Sequence, residues 1–220
     1  MKIAVDGPAG AGKSTIARLV ARHLGLRYVD TGAMYRAVTL AALRQGVDMS
    51  DEDALLRVAT SMDLNIVFQG EKGNVIYLDG EDVTALIREP DVTAHVSTVS
   101  THKKVRDFIV ALQDQIGKQG SVVMDGRDIG TVVMPDADWK IFLQATVEER
   151  AKRRQREMER RGVQVDMGDM QEQIRKRDYL DSTRENSPLK KAVDAIEIDT
   201  TSLDVAEVVQ KVLDLVQGEA

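Results

Sequence analysis

The first fifteen residues contain a glycine-rich segment whose residue types and spacing suit phosphate binding. Residues 7–14 match the pattern G-x-x-x-x-G-K-[ST] and lie between a predicted strand and a predicted helix. Glycines let backbone N–H groups surround a phosphate, and the helix that follows offers it a favourable N-terminus. We expect Lys13 to bridge the β- and γ-phosphates of a nucleoside triphosphate and the Ser14 hydroxyl to bind Mg²⁺. The residues assigned to the triphosphate are Gly7, Pro8, Ala9, Gly10, Ala11, Gly12, Lys13, Ser14 and Thr15.

Two further polar clusters follow predicted strands. One brings the hydroxyl of Thr31 and the guanidinium of Arg36 to the start of a helix, where they could hold a phosphoryl acceptor; alternatively, Asp30 and Thr31 only cap that helix. In the other, Asp125 suits a Mg²⁺ site and Arg127 suits a phosphate clamp, although a polar turn would have the same composition. Because ligands of open parallel sheets bind beyond the carboxyl ends of the strands, both clusters should face the glycine-rich loop.

A fourth cluster lies on a helix predicted over residues 170–183 and just beyond it. Arg177, Asp181 and Arg184 are spaced i, i+4 and i+7, so they share one face. Taken alone, Arg177 and Asp181 are explained equally well by a surface ion pair without any ligand.

The elements that must position these clusters are short apolar runs alternating with helical periodicity. This alternation predicts a parallel sheet with helices on both faces. A β-rich segment at 64–83, with glycine turns at 70–73 and 79–80, predicts an antiparallel excursion. The last helix is expected to begin near Ser202. The five runs predicted as strands are Ile3 to Val5, Leu26 to Val29, Val122 to Met124, Ile141 to Leu143 and Ala195 to Ile198.

Composition limits the class of protein. The chain has 220 residues and a net charge of −6, which argues against nucleic acid as the main partner. It has no cysteine and three scattered histidines, so thiolate zinc sites and disulfides are excluded. No stretch approaches the length of an apolar membrane span. We expect a cytoplasmic protein, without membrane attachment, that is a monomer.

The chain resembles the bacterial cytidylate kinases over nearly its whole length. The resemblance rests on six segments, which are GPAGAGKST, DTGAMYRA, DGRDIGT, RAKRRQRE, RDYLDSTRENSPLKKA and DAIEIDT. Together they are far more specific than a phosphate-binding loop. The resemblance implies phosphoryl transfer from ATP to CMP or dCMP, with Mg²⁺, and with no covalent intermediate.

The resemblance also implies roles for individual residues. The positions matching Arg36, Arg127 and Arg184 hold the acceptor phosphate in that family. Those matching Ser97, Arg106 and Asp128 read the cytosine, and those matching Arg177 and Asp181 reach the ribose. Thr31 keeps the hydroxyl of the serine that relatives often carry there.

The fold implied is a P-loop NTPase three-layer α/β fold with a five-stranded parallel sheet, a helical lid and a small antiparallel acceptor-binding insert. In the basic helix 149–161, Arg150, Arg153 and Arg154 are expected to close over ATP, although a solvated charged helix is the alternative. The chain is expected to be one domain over 1–220, with its core at about 1–60, 101–148 and 188–220, the insert at about 61–100 and the lid at about 149–187.

Chemistry favours a phosphate acceptor over rival acceptors. A phosphate oxygen is already charged and needs no general base, and the clusters contain arginines and no convincing catalytic histidine. A kinase acting on a hydroxyl group would need a base. A P-loop GTPase is disfavoured because an N-K-x-D or T-K-x-D segment is absent and the D-x-x-G match at 114–117 lies in a helical pattern. A thymidylate or uridylate kinase stays the nearest alternative.

Overall fold

A computed structural model describes residues 1–69, 73–160 and 162–218. Two short helical turns, a 3₁₀ turn at Leu86–Arg88 and a π-helical turn at Ile129–Val133, accompany the regular elements. Within the described residues the strands and α-helices are, in chain order, β1 (Lys2–Asp6), α1 (Lys13–His23), β2 (Arg27–Asp30), α2 (Thr31–Arg44), α3 (Glu52–Ser61), β3 (Leu64–Phe68), β4 (Asn74–Leu78), β5 (Glu81–Asp82), α4 (Pro90–Val99), α5 (Lys103–Lys118), β6 (Val122–Gly126), β7 (Trp139–Gln144), α6 (Val147–Glu159), α7 (Met167–Thr183), β8 (Ile196–Asp199) and α8 (Val205–Gln217).

The central sheet has five strands in the order β2-β6-β1-β7-β8, and every neighbouring pair is parallel. All five strands predicted from the apolar runs are therefore confirmed. Register places Asp125 of β6 beside both Val5 of β1 and Asp30 of β2. Parallel strands have their carboxyl ends at the same end of the sheet. The acidic residues there are Asp6, Asp30 and Asp125.

Helices cover both faces of this sheet because side chains alternate along the buried strands. Ile3 and Val5 of β1 pack in one cluster with the apolar faces of α1 and α8. Ala4 points to the opposite face, where it meets Val29 and Met124. The predicted three-layer α/β arrangement is confirmed.

Helix α8 begins two residues later than the sequence predicts. The cap is Asp204, whose carboxylate accepts the N–H of Glu207 at 2.9 Å, while Glu207 accepts the N–H of Asp204 at 2.8 Å. This reciprocal capping box satisfies two backbone donors at once, which a cap at Ser202 would not do.

The predicted antiparallel excursion forms a separate sheet of three strands, β3-β4-β5. Asn74, the first residue of β4, joins this insert to β2 through its side-chain amide. Its Nδ2 donates to the carbonyl of Tyr28 at 2.7 Å, and its Oδ1 accepts the N–H of Asp30 at 2.8 Å. The predicted turn at 70–73 lies outside the described residues except for Gly73.

Helices α6 and α7 pack against each other around a small cluster formed by Ala151, Met170 and Ile174. Helix α6 confirms most of the predicted basic helix, and Arg161 at its predicted end lies outside the described residues. Within the described ranges, no helix is long and apolar enough to cross a membrane.

Candidate active site

The glycine-rich loop between β1 and α1 depends on residues without a side chain. Gly7, Gly10 and Gly12 have φ values of 146°, 81° and 89°. A Cβ on Gly7 would lie 2.0 Å from the carbonyl oxygen of Leu143, so β7 leaves no room for one. Gly12 precedes α1 and provides no side-chain cap. The first N–H groups of α1 are therefore available to an anion, as the motif predicts.

Lys13 lies at the centre of this loop and is only 5% exposed. Its Nζ donates to the carbonyl of Pro8 at 2.8 Å. Burial, followed by the charge of Arg127, lowers the pKa of Lys13 to about 7. A buried ammonium of this kind is stabilised when a polyanion reaches it, which suits a contact with the triphosphate.

Ser14 and Asp125 meet at the end of the sheet. The Ser14 hydroxyl donates to Asp125 Oδ2 at 2.8 Å, and the Tyr28 hydroxyl donates to Asp125 Oδ1 at 2.7 Å. Burial, followed by the neighbouring carboxylate of Asp30, raises the pKa of Asp125 to about 6. Oxygen donors of this type are the ones that Mg²⁺ prefers.

The start of α2 performs two tasks. Asp30 is the helix cap, accepting the N–H of Ala33 at 3.0 Å, and it also forms an ion pair of 2.7 Å with Arg88. The Thr31 hydroxyl donates to the carbonyl of Asp125 at 2.6 Å. The capping alternative is thus correct for Asp30, but Thr31 still lies on the wall of the crevice.

Arg36 lies one turn into α2. It donates to the carbonyl of Ile87 at 3.2 Å and to the Thr93 hydroxyl at 2.9 Å. Burial, followed by the charge of Arg177, lowers the pKa of Arg36 to about 9. Arg36 therefore lies where the charges of neighbouring arginines outweigh the charge of the neighbouring carboxylate.

In the loop after β6, Arg127 and Asp128 each pair with a residue of the opposite charge from another helix. Arg127 Nε donates to Asp181 at 2.8 Å. Burial lowers the pKa of Arg127, but nearby carboxylates, above all Asp181, raise it by more. Asp128 forms a buried ion pair with Arg106 of α5 and lies 3.8 Å from Arg184. Clusters separated by more than fifty residues in the sequence thus converge on one place.

Two arginines of α6, Arg153 and Arg154, differ in their partners. Arg153 donates to the hydroxyl and the carbonyl of Thr200 at 3.0 and 2.6 Å. Arg154 pairs with Glu157 at 3.1 Å. Both arginines line the crevice.

All of these segments border one crevice with a volume of about 980 Å³. Its lining includes the glycine-rich loop, Asp128 and Arg106. Arginines from four α-helices, from the 3₁₀ turn and from the loop after β6 line the walls, which is an arrangement for holding two polyanions close together. The crevice-lining arginines are Arg36, Arg88, Arg106, Arg127, Arg153, Arg154, Arg156, Arg160, Arg177 and Arg184.

Comparison with known proteins identifies the family. A family model described as cytidylate kinase matches residues 3–218. A cytidylate kinase of Bacillus cereus strain B4264 is 53% identical over 219 residues, covering 99% of this chain and 96% of the relative. A cytidylate kinase of Bacillus thuringiensis strain Al Hakam is 51% identical over 218 residues, covering 99% and 96%. The chain belongs to the cytidylate kinase family. The resemblance found in its motifs is confirmed.

Solved structures that share the fold are more distant from this cytidylate kinase family member. An uncharacterized protein from Eubacterium ventriosum has a TM-score of 0.52 at 14% identity, with 99% of this chain and 98% of that one covered. A shikimate kinase from Bacteroides thetaiotaomicron has a TM-score of 0.50 at 12% identity, with the same coverage. These likenesses support the P-loop kinase fold and nothing finer.

Several buried polar atoms of the kinase crevice have no hydrogen-bond partner within the described part of the chain. They are the Tyr35 hydroxyl, Arg106 Nε, Arg177 Nε and Arg184 Nη2. Buried donors without partners are costly in a protein interior. All four residues line the crevice.

Four residues assigned to the site from sequence, Gly7, Pro8, Ser97 and Arg150, are not among the residues that line the crevice. Near Ser97 of α4, Val96 and Ser100 line it. Arg150 is only 4% exposed, and its guanidinium binds Asp178 at 2.9 and 2.6 Å and the carbonyl of Ala9 at 3.1 Å. Arg150 therefore connects the phosphate loop to α7, and its expected contact with ATP stays a prediction.

Sequence reasoning missed Arg88 and Tyr35, which line the cytidylate kinase crevice, and Tyr28, which contacts the lining residue Asp125. Arg88 pairs with Asp30, and Tyr28 holds Asp125. Tyr35 lies under the guanidinium of Arg106, with the guanidinium carbon 5.4 Å from the ring centroid. The helical spacing of Tyr35 and the strand position of Tyr28 indicate core residues, so no sequence signal pointed to their polar ends.

Proposed function

We infer that this protein is a cytidylate kinase that transfers the γ-phosphoryl group of ATP directly to the phosphate of CMP or dCMP. The products are ADP and CDP or dCDP. The activity follows from membership of the family. The observation that carries the assignment of residues is that the triphosphate loop and the buried Asp128–Arg106 pair line the same crevice.

The donor end holds ATP through the loop at residues 7–15. Backbone N–H groups and Lys13 bind the phosphates. Ser14 and Asp125 fit Mg²⁺, because they are adjacent oxygen donors beside the loop and Mg²⁺ needs few protein ligands when phosphates supply others. When bound, Mg²⁺ supplies charge neutralisation of the phosphates.

The acceptor phosphate lies in the middle of the crevice, held by Arg36, Arg127 and Arg184. Two phosphate groups repel each other, so fixed guanidinium groups are needed to bring them together. Electrostatics supports this assignment of the arginines. Burial, followed by the charge of Arg177, lowers the pKa of Arg36, and burial, followed by the charge of Arg106, lowers the pKa of Arg184. The negative charge of a bound phosphate stabilises the protonated form of both arginines.

The base end reads cytosine through a carboxylate and a guanidinium. Asp128 accepts a hydrogen bond from the exocyclic amine of cytosine, and Arg106 donates to the ring acceptors. Uracil presents an acceptor in place of the amine, so it faces the carboxylate unfavourably. Ser97 stays the serine assigned to the base, and Ser100, which donates to the carbonyl of Ser97 at 2.8 Å, lines the crevice beside it.

The ribose is held by Arg177 and Asp181 of α7. Asp181 already accepts from Arg127, so the two residues connect the sugar to the acceptor phosphate. Burial raises the pKa of the Asp181 carboxyl, but Arg127 and Arg177 lower it by more, so its net shift is downward and it acts as an acceptor throughout.

The acceptor assignment is tested by an ADP-release assay with ATP and Mg²⁺. We expect fast turnover with CMP and dCMP and little with UMP, AMP, GMP or dTMP. In Asp128→Asn, the preference for CMP over UMP should fall at least about tenfold, because one hydrogen bond to a charged group is worth about 1.5–3 kcal/mol. Equal turnover of CMP and UMP by the unmodified protein would contradict the assignment.

Closure over ATP is assigned to α6 and α7, about residues 149–187, with Arg153 and Arg154 as the contacts. Arg154→Ala is expected to lower kcat by roughly 10- to 100-fold, because one charge-stabilising donor at the γ-phosphate is lost. The measurement is kcat and the KM for ATP in the same ADP-release assay.

Arg175→Ala is the matched control for the Arg154 variant. Arg175 is also an arginine of the α6–α7 unit, but among the described residues its side chain contacts Gln171 and it does not line the crevice. Unchanged turnover and ATP affinity in Arg154→Ala would remove this residue from the active site.

We further propose a monomer that acts in the cytoplasm on free nucleotides and on no nucleic acid. Its net charge of −6 supports the last point, since a polyanion would be repelled outside the local crevice. The insert at about 61–100 carries Arg88 and α4 toward the acceptor, which supports its role as an acceptor-binding segment.

A further inference from the structure

Asp6 is a buried carboxylate that the reaction as described does not use. It is the last residue of β1 and directly precedes the glycine-rich loop. It is 5% exposed. Its Oδ1 accepts the N–H of Ile129 at 2.9 Å, and its Oδ2 accepts the N–H of Gly130 at 2.7 Å. Both oxygens are thus used on two successive backbone groups of one distant loop.

That loop is the π-helical turn that follows Asp128. The carbonyl of Asp128 accepts the N–H groups of Val132 at 2.8 Å and Val133 at 3.3 Å, so the residue is part of the turn that Asp6 holds. Gly130 is closed in from the other side: a Cβ there would lie 3.2 Å from Cδ of Lys140. The backbone next to Asp128 is therefore fixed from two directions.

A carboxylate is a costly choice for this place. Burial raises the pKa of Asp6 to about 6, the two backbone N–H bonds partly oppose this shift, and the nearby charge of Asp128 adds to it. A neutral acceptor would avoid the repulsion from Asp128. What the carboxylate provides is two equivalent acceptors, which hold two adjacent N–H groups at once.

We infer that Asp6 is a positioning residue for base recognition: by holding the backbone at Ile129 and Gly130, it fixes Asp128 against Arg106 and sets the preference for CMP over UMP. This inference rests on the proposed function, in which Asp128 reads the base. Asp6 also ends the strand that leads into the triphosphate loop, so the test must separate an effect on the acceptor from an effect on ATP.

The test compares Asp6→Asn with the unmodified kinase. Asparagine keeps the volume but places an NH₂ donor against one of the two backbone N–H groups. We expect kcat/KM for CMP to fall while that for UMP changes little, so that their ratio drops roughly tenfold or more, as for a catalytic group displaced by a fraction of an ångström. The KM for ATP should stay within about twofold.

Two comparison variants make the result decisive. Val212→Ala opens space in the α8 cluster, away from the loop, and controls for loss of stability alone; its CMP-to-UMP ratio should be unchanged. Asp128→Asn reports on the base reader itself. If its ratio does not fall, the proposed reading of cytosine fails and the role of Asp6 fails with it.

If Asp128→Asn lowers the ratio but Asp6→Asn does not, the inference about Asp6 alone is overturned. A raised KM for ATP with an unchanged ratio also overturns it, because Asp6 would then act through the triphosphate loop. Should Asp6→Asn be too unstable to assay, Gly130→Ala displaces the same turn against Lys140 and must lower the same ratio.

Discussion

Lys13→Ala is expected to lower kcat about 1,000-fold, equivalent to about 4 kcal/mol of transition-state stabilisation. The residue is buried, and its ammonium is the one lysine charge that lies within the triphosphate loop. Charge moves toward the bridging oxygen between the β- and γ-phosphates during transfer, so this cation acts most strongly in the transition state. The KM for ATP should rise by much less than kcat falls.

The Lys13 result is measured by ADP release with saturating CMP, with thermal unfolding as the check on folding. Lys118→Ala is the matched control, since that lysine is exposed on α5 and its ion pair within the described ranges is with Asp114. The control should retain full turnover. A kcat for Lys13→Ala within tenfold of the unmodified protein would place the phosphates elsewhere.

Arg127→Ala is expected to lower kcat/KM for CMP by about 100- to 1,000-fold, because one fixed donor to the acceptor phosphate disappears from a buried site. Arg127→Lys should recover only part of the loss, since an ammonium keeps the charge but lacks the planar fork that matches a phosphate. The KM for ATP should change little by comparison.

A structural explanation of the Arg127 effect is tested separately. Removing Arg127 leaves Asp181 with Arg177 at 3.9 Å as its nearest remaining ion pair, so stability should fall. Adding Asp181→Asn to Arg127→Ala should restore much of the melting temperature without restoring activity. If the double variant regained activity, Arg127 would serve only to neutralise Asp181.

The sequence predicts the framework of this site well because that framework depends on local patterns. Apolar runs specify the five strands, and the spacing of Gly7, Gly12 and Lys13 specifies the phosphate loop. Its position between a strand and a helix follows from the same short segment.

Contacts between distant residues could not be predicted in the same way. Tyr28 meets Asp125 because β2 lies beside β6, and strand order is not encoded in either strand. Arg150 and Arg153 belong to the same basic helix and cannot be told apart from the sequence, yet Asp178 of α7 binds Arg150. The choice between structural and ligand contacts depends on the packing of α6 against α7.

The side chain of Asn74 also has a consequence for association between copies of the chain. Strand β2 is an outer strand of the central sheet, so the backbone groups on its free side could pair with a strand from another molecule. The amide of Asn74 occupies the carbonyl of Tyr28 and the N–H of Asp30 on β2. The insert therefore protects this edge against intermolecular strand addition, and loss of the Asn74 amide would favour aggregation as well as loosen the insert.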